Sequence, residues 1–250
     1  MARIPVAVQL YSVGEDAARD LPGTLKALAE MGYEGVEFAG YYGHSAQDLR
    51  KLLDEYGLKA AGSHVPRPER QVDQLEGQIA FHHTLGNKYL IIPWCDAGED
   101  PAAWVEFGRG LEEAAEALAP HGLHVGYHNH DQEFHALGDT GAAAWDLIAQ
   151  NSGDRVVMQL DLGNARHGGG DPVAYLKKYL HRTRTIHLKE YSATNGKATI
   201  GEGEIPWVEV LELCEGSGVT EWLIVEQEGY SVPPLEAVKR CREYLRSLGR

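Results

Sequence analysis

Eight times along this chain a short apolar or β-branched run gives way to a longer amphipathic stretch. The runs at 4–10 (IPVAVQL), 33–38 (YEGVEF), 58–64 (LKAAGSH), 88–93 (KYLIIP), 122–128 (GLHVGYH), 155–161 (RVVMQLD), 184–189 (RTIHLK) and 221–226 (EWLIVE) predict strands. Stretches such as 20–31, 45–56, 104–119, 206–215 and 235–248 predict helices. Strands separated by helices pair in parallel, because each crossover returns the chain to the edge of the sheet where the strand began. At 250 residues, with no linker or low-complexity tract, eight such units predict an α/β fold, a (β/α)8 TIM barrel spanning 1–250 as a single domain. A doubly wound sheet is the competing arrangement. Asp100-Pro101 and Asp171-Pro172 each supply an N-cap acceptor followed by proline at the first helical position, and Gly32, Gly57, Gly86 and Gly122 mark helix ends.

A barrel makes a second prediction, because side chains along a strand point alternately outward to the helices and inward. Strand five reads Leu123, Val125 and Tyr127 on one parity, against His124, Gly126, His128 and His130 on the other. Strand six gives Val156, Met158 and Leu160 against Val157, Gln159 and Asp161; strand seven gives Ile186 and Leu188 against Thr185, His187 and Lys189. The apolar parity belongs against the helices. The other ends in Gln9, Glu37, His64, His128, Asp161, His187 and Glu226 at the carboxyl rim, where such barrels build active sites. Strand four offers only Pro93 and Trp94 there. One histidine at a strand end is as often a structural hydrogen-bonder. Six ionisable groups from six strands on one rim point to chemistry.

Asp161, His187 and Glu226 supply two carboxylates and an imidazole from consecutive strands, and such mixed ligation suits Mn²⁺, Co²⁺, Zn²⁺ or Mg²⁺ without choosing among them. Cys95, Cys214 and Cys241 are widely spaced and lack a CxxC pattern, which excludes a tetrathiolate zinc site and fits reduced thiols in a cytoplasmic protein. Lys and Arg number 23 against 37 Asp and Glu, a net charge of −14 that disfavours nucleic acid and anionic membrane as partners. A local basic cluster still admits a small phosphorylated substrate. No stretch approaches the ~20 apolar residues of a membrane span, and no export signal is expected before the first strand.

Taken in order, "QLDLGNARHGGGDP" (159–172), "IHLKE" (186–190), "GEGEIPW" (201–207) and "LIVEQE" (223–228) resemble the xylose-isomerase-like barrels, and the resemblance runs over essentially the whole chain. That superfamily contains sugar isomerases, 3-epimerases, inosose isomerases and dehydratases, and apurinic-site endonucleases. The resemblance implies one divalent ion held by a strand-five Glu, a strand-six Asp, a strand-seven His and a strand-eight Glu. Asp161, His187 and Glu226 match, but the strand-five position is His128. Parity turns His128 and His130 inward and Asn129 toward the helices. His128 is therefore expected as fourth ligand or beside the ion, and Glu133 as a loop carboxylate that replaces the missing one. The plainer alternative makes "HNHDQEF" a solvated polar loop.

In isomerases and epimerases of this kind the ion chelates a carbonyl and an adjacent hydroxyl, and two carboxylates on opposite faces move a proton through an enediolate. The resemblance thus implies a small ketose or keto-sugar, with Glu226 on one face and His128 or Glu133 on the other. Without a second base, loss of a β-substituent follows: the outcome of a dehydratase or lyase acting on a keto-inositol or 3-keto-glycoside. Glu37, His64 and His130 are expected against substrate hydroxyls. Lys189 is expected to neutralise an enediolate oxygen, or else to pair with Glu190 or Glu228. Trp94 and Tyr11 either stack on a sugar ring or pack. A phosphate would draw on Arg166, His167 and Lys197. The endonuclease alternative needs a three-metal cluster, yet Asn164 and "GEGE" stand where its additional ligands belong. A sugar binder without catalysis is the remaining alternative. Relatives form dimers or tetramers, so a homo-oligomer stays open.

Overall fold

The computed structural model describes residues 3–66, 75–138 and 141–250. The strands are β1 (Val6–Gln9), β2 (Gly35–Ala39), β3 (Lys59–His64) and β4 (Tyr89–Ile92). They continue with β5 (His124–His128), β6 (Val157–Gln159), β7 (Thr185–Leu188) and β8 (Trp222–Val225). All pair in parallel in the order β6-β5-β4-β3-β2-β1-β8-β7. The ring closes between β6 and β7, where Asp161 bridges His187 and the His187 N–H donates to Leu160 O at 2.9 Å. Sequence order around a closed ring is the TIM barrel; a doubly wound sheet would reverse direction at a switch point.

The predicted helices form at Leu21–Glu30, Ala46–Tyr56, Pro101–Leu118, Trp207–Ser217 and Pro234–Ser247. Asp100 and Asp171 cap as expected: Asp100 Oδ1 accepts from the Ala102 N–H, and Asp171 Oδ1 from those of Val173 and Ala174. Gly57 and Gly122 take φ of +69° and +68°, the left-handed conformation that ends a helical turn at no steric cost. The alternation alone did not single out the helix Gly14–Arg19, the hairpin pairing Ala136–Leu137 with Ala142–Ala143, or the helix Ala144–Gln150. Each is too short to carry a period of its own, and tertiary packing fixes it.

Two apolar layers hold the ring. The outer one joins strand residues such as Val36, Val125, Met158 and Leu188 to helix residues such as Leu25, Leu49, Trp104 and Leu211. The inner one, Ala7, Ala61, Tyr89, Ile91, Val157, Trp222 and Ile224, plugs the amino-terminal half of the barrel. Each large side chain so buried contributes roughly 1.5–3 kcal/mol. Above the plug the interior turns polar, with Gln9, Glu37, Gln159 and His187 fully buried. A bulge lets Glu37 pair with Gly62 directly after Val36 pairs with Ala60. A Cβ at position 62 would overlap Glu37 Oε1, so the glycine makes room for that carboxylate. Among the described residues no helix is long and apolar enough to cross a membrane.

Candidate functional site

Four strand ends deliver four donors to one point. Ligand-capable atoms of His128, Asp161, His187 and Glu226 all lie within 4.8 Å of one another, and all four side chains are buried. Asp161 follows β6 and caps the helix Leu162–His167, where its Oδ1 accepts from the Asn164 N–H at 2.6 Å. Its Oδ2 is buried with no hydrogen-bond partner. His128 Nδ1 and His187 Nδ1 are orphaned in the same way. Glu226 Oε2 comes within 2.8 Å of His187 Nδ1, but off the axis of an N–H···O bond. Buried lone pairs without a donor cost free energy unless something electropositive meets them. Their convergence is what a cation site requires, and the oxygen–nitrogen set suits a divalent ion.

The neighbours set the protonation states that such a site needs. His187 Nε2 lies 2.6 Å from Glu37 Oε2; a carboxylate only accepts, so Nε2 carries a proton, and Nδ1 is the atom turned to the cluster, where a cation would take the place of its proton. Burial would depress His187, yet Glu37 and Glu226 raise it to about 10. Burial pushes Asp161 up to about 7, with Lys189 opposing and Glu226 adding to the rise. The His187 shift reports a negative potential at the meeting point, and the Asp161 shift reports chiefly its burial. Burial and the adjacent His187 hold His128 well below the usual imidazole range, so its ring is neutral.

Glu37 lies one layer deeper than the rim. Its Oε2 accepts from Gln9 Nε2 at 2.8 Å as well as from His187, with His64 Nε2 at 3.2 Å, and its Oε1 accepts from Gln159 Nε2 at 2.8 Å. The sequence placed Glu37 against sugar hydroxyls. In the structure it is fully buried and its oxygens are saturated by protein donors, so it orients His187 instead. Gln159, which sequence reasoning left out of the site, ties this layer together: its Oε1 accepts from His64 at 3.1 Å and its Nε2 also donates to Thr185 Oγ1 at 2.9 Å. Its inward parity, two residues before Asp161, was the available signal.

The segment "YHNHDQEF" divides its labour. His128 joins the cluster, and its ring centroid is 4.5 Å from that of His187. Asn129 grips the main chain of Asp161 with both ends of its amide: Nδ2 donates to Asp161 O at 3.1 Å, and Oδ1 accepts from the Asp161 N–H at 2.8 Å. That pair extends the parallel ladder past its last strand partners, His128 and Gln159. Glu133 does not reach the cluster. Its Oε1 accepts from Tyr127 Oη at 2.7 Å and Gln132 Nε2 at 3.0 Å, and its Oε2 from the His130 N–H at 2.7 Å. Tyr127 is an outward residue of β5, packed against Phe107 and Trp145, and its hydroxyl draws the loop carboxylate to that side.

His64, Trp94, His130, Tyr11 and Glu228 line a cavity of about 790 Å³ whose floor includes His128 and Glu226. That volume is in the range of small-molecule sites. Lys189 pairs with Glu228, the ion-pair alternative, and lies 3.5 Å from Glu226 Oε1. With Glu228, His167 and Asn195 it also borders a second, smaller cavity of about 250 Å³. Of the basic residues named for phosphate, Arg166 sits 4.0 Å from Glu204 and over the Tyr191 ring, and Lys197 is exposed.

The family model for the xylose isomerase-like TIM barrel matches residues 25–248. The chain belongs to that family. Among its curated relatives, the rhizopine catabolism protein MocC of Rhizobium meliloti is 26% identical over 88% of this chain and 79% of its own length. An inosose dehydratase of Geobacillus kaustophilus is 25% identical over 90% of this chain and 89% of its own. A solved sugar phosphate isomerase/epimerase from Parabacteroides distasonis superposes with a TM-score of 0.86 at 23% identity, covering 97% of this chain and 98% of that one. The last likeness bears on the fold. Members of the xylose isomerase-like family are enzymes, among them isomerases, epimerases and dehydratases.

Proposed function

We propose that this family member is a divalent-metal-dependent enzyme that removes the proton beside the carbonyl of a small ketose or keto-sugar, returning it as an isomerase or epimerase does. The observation that carries the reading is the convergence of three buried polar atoms without hydrogen-bond partners, on His128, Asp161 and His187, with Glu226. His128, Asp161, His187 and Glu226 are the residues that would hold the ion. A divalent ion held there supplies a Lewis acid that acidifies the C–H next to a sugar carbonyl.

The chain's own groups do the rest. Glu37 fixes the proton of His187 on Nε2, so the ring cannot swing or change tautomer. Glu226, held well below the usual carboxylate range by His187 against the effect of burial, is ionised and faces the cavity as proton acceptor. Lys189 offsets negative charge as it develops beside Glu226.

One observation favours a second reading, elimination by a dehydratase or lyase. Among the described residues, the two carboxylates that border the main cavity, Glu226 and Glu228, come from the same strand end, while His64, His128 and His130 occupy other walls and Glu133 is turned away. A base on one face suffices for elimination, whereas epimerisation needs a proton donor on each.

Metal content per chain comes first, with about one divalent ion expected after dialysis. Candidate ketoses and keto-inositols incubated in D₂O then separate the readings. Deuterium at the carbon next to the carbonyl means isomerisation or epimerisation, and a released water or alcohol means elimination. A chain that takes up no divalent ion sinks both.

A further inference from the structure

The main cavity has two unlike halves. His128 and His130 line it from β5 and the segment after it, Glu226 and Glu228 from the segment after β8 and His64 from the end of β3, whereas Tyr41, Val65, Ile92, Pro93 and Trp94 make an aliphatic and aromatic wall beyond them. Trp94 is 50% exposed and Tyr11 63%, two of the three large apolar side chains most open to solvent among the described residues, and both face this one cavity. Trp94 is held in place edge-on against His130, ring centroids 5.0 Å apart, and His130 in turn stands 5.2 Å from His128. An aromatic surface therefore begins two rings away from the cluster and leads outward.

A lone monosaccharide does not explain this half. Held at the cluster, a single sugar ring would not also cover this wall, and the exposed aromatic surface would stay in water. Nor does a phosphate, because no lysine or arginine among the described residues lines the cavity. A flat ring with an apolar face does: it buries the exposed Trp94 and Tyr11 surfaces and stacks or edges onto them.

We propose that the substrate carries a second ring beyond the reacting sugar, seated on Trp94, Tyr11 and Tyr41 while the first ring meets the cluster of His128, Asp161, His187 and Glu226. The shared chemistry is a ring with an apolar face, and it comes from one of two sources: an aromatic aglycone or a second sugar. The inference rests on the proposed function for the placement of the first ring, but its test reads binding and requires no turnover.

Isothermal titration of the full chain, saturated with Mn²⁺, compares methyl glucoside with 4-nitrophenyl glucoside and with a glucose disaccharide, each as both anomers. Two-ring probes are expected to bind about tenfold tighter or better than the methyl glycoside. The preference should collapse toward unity in Trp94→Ala, with Tyr11→Ala as the second variant. The nitrophenyl arm winning marks an aromatic aglycone; the disaccharide arm winning marks a sugar. Equal affinity for one- and two-ring probes, no detectable two-ring binding, or a preference that survives both substitutions overturns the proposal. Absent metal uptake would instead sink the proposed function, and the same titrations repeated without Mn²⁺ separate the two failures.

Discussion

Asn129→Ala tests how the site is held rather than what it contains. Its amide makes two hydrogen bonds with the main chain of Asp161, and the buried Asn164 side chain donates to Asn129 O at 3.2 Å. Truncation leaves the Asp161 N–H buried without its partner, whereas Asp161 O keeps the Ala165 N–H at 3.0 Å, so stability should fall by about 1–3 kcal/mol, the cost of one unsatisfied group. The consequence for the ion is separate. With its main chain released, Asp161 no longer aims Oδ2 at the cluster, and outer-shell losses of this kind weaken metal binding about 10–100-fold. Chelator competition measures the metal Kd and thermal melting measures stability. Leu53→Ala, a fully buried helix position remote from the rim, is the control. It should lose about 2–5 kcal/mol and keep its metal Kd. If Asn129→Ala melts early yet binds metal within about twofold of the unmodified chain, the clamp serves the fold alone and the reasoning fails.

Glu37→Gln removes the charge beside His187 and leaves one acceptor oxygen where protein donors occupy two, and about a 10–100-fold weaker metal Kd is expected by the same competition assay; an unchanged Kd would mean that the carboxylate is dispensable. Lys189→Met takes away the cation that burial alone would disfavour but that Asp161, Glu226 and Glu228 sustain. The carboxylates then ionise less readily, so the pH midpoint of metal binding should move upward, and a fixed midpoint would refute the coupling. His82 is buried, accepts from Asn87 Nδ2 at 2.9 Å, and is lowered by burial to about 4. The unfolded chain binds that proton near pH 6.5, so the contribution to stability is complete above 6.5 and is lost as pH falls toward 4, by up to about 3 kcal/mol. Denaturant melts between pH 7 and 4 should show a shallower decline for His82→Gln than for the unmodified chain; parallel curves would dismiss the assignment.

Strand alternation and side-chain parity made the barrel legible, and with it the four residues of the cluster, because both follow from repeats that survive in one dimension. Parity gives a face but not a depth. Glu37 and Glu226 look equivalent in sequence, yet Glu37 sits a layer below, beside Gln9 and Gln159, and serves a histidine instead of a substrate. Loop residues escape the rule altogether. Glu133 stands three residues beyond His130, where no alternation applies, and a hydroxyl on the far side of β5 decides where it goes. Asn129 was read as turning away from the interior. It does leave the barrel axis, and its amide binds the neighbouring strand's extension, a pairing visible only when β5 and β6 lie in register.

Gly62 and Glu37 occupy the same volume from adjacent strands. Over evolutionary time such a pair behaves as one heritable trait. A side chain at position 62 would crowd the acid at 37 and favour its exchange for a shorter residue, and with it the loss of the group that steers His187. A barrel that has drifted from catalysis is free to make that exchange, whereas a working one is not. Two letters, glycine and glutamate at these positions, would then sort functional members from retired ones in a sequence collection before any of them is purified.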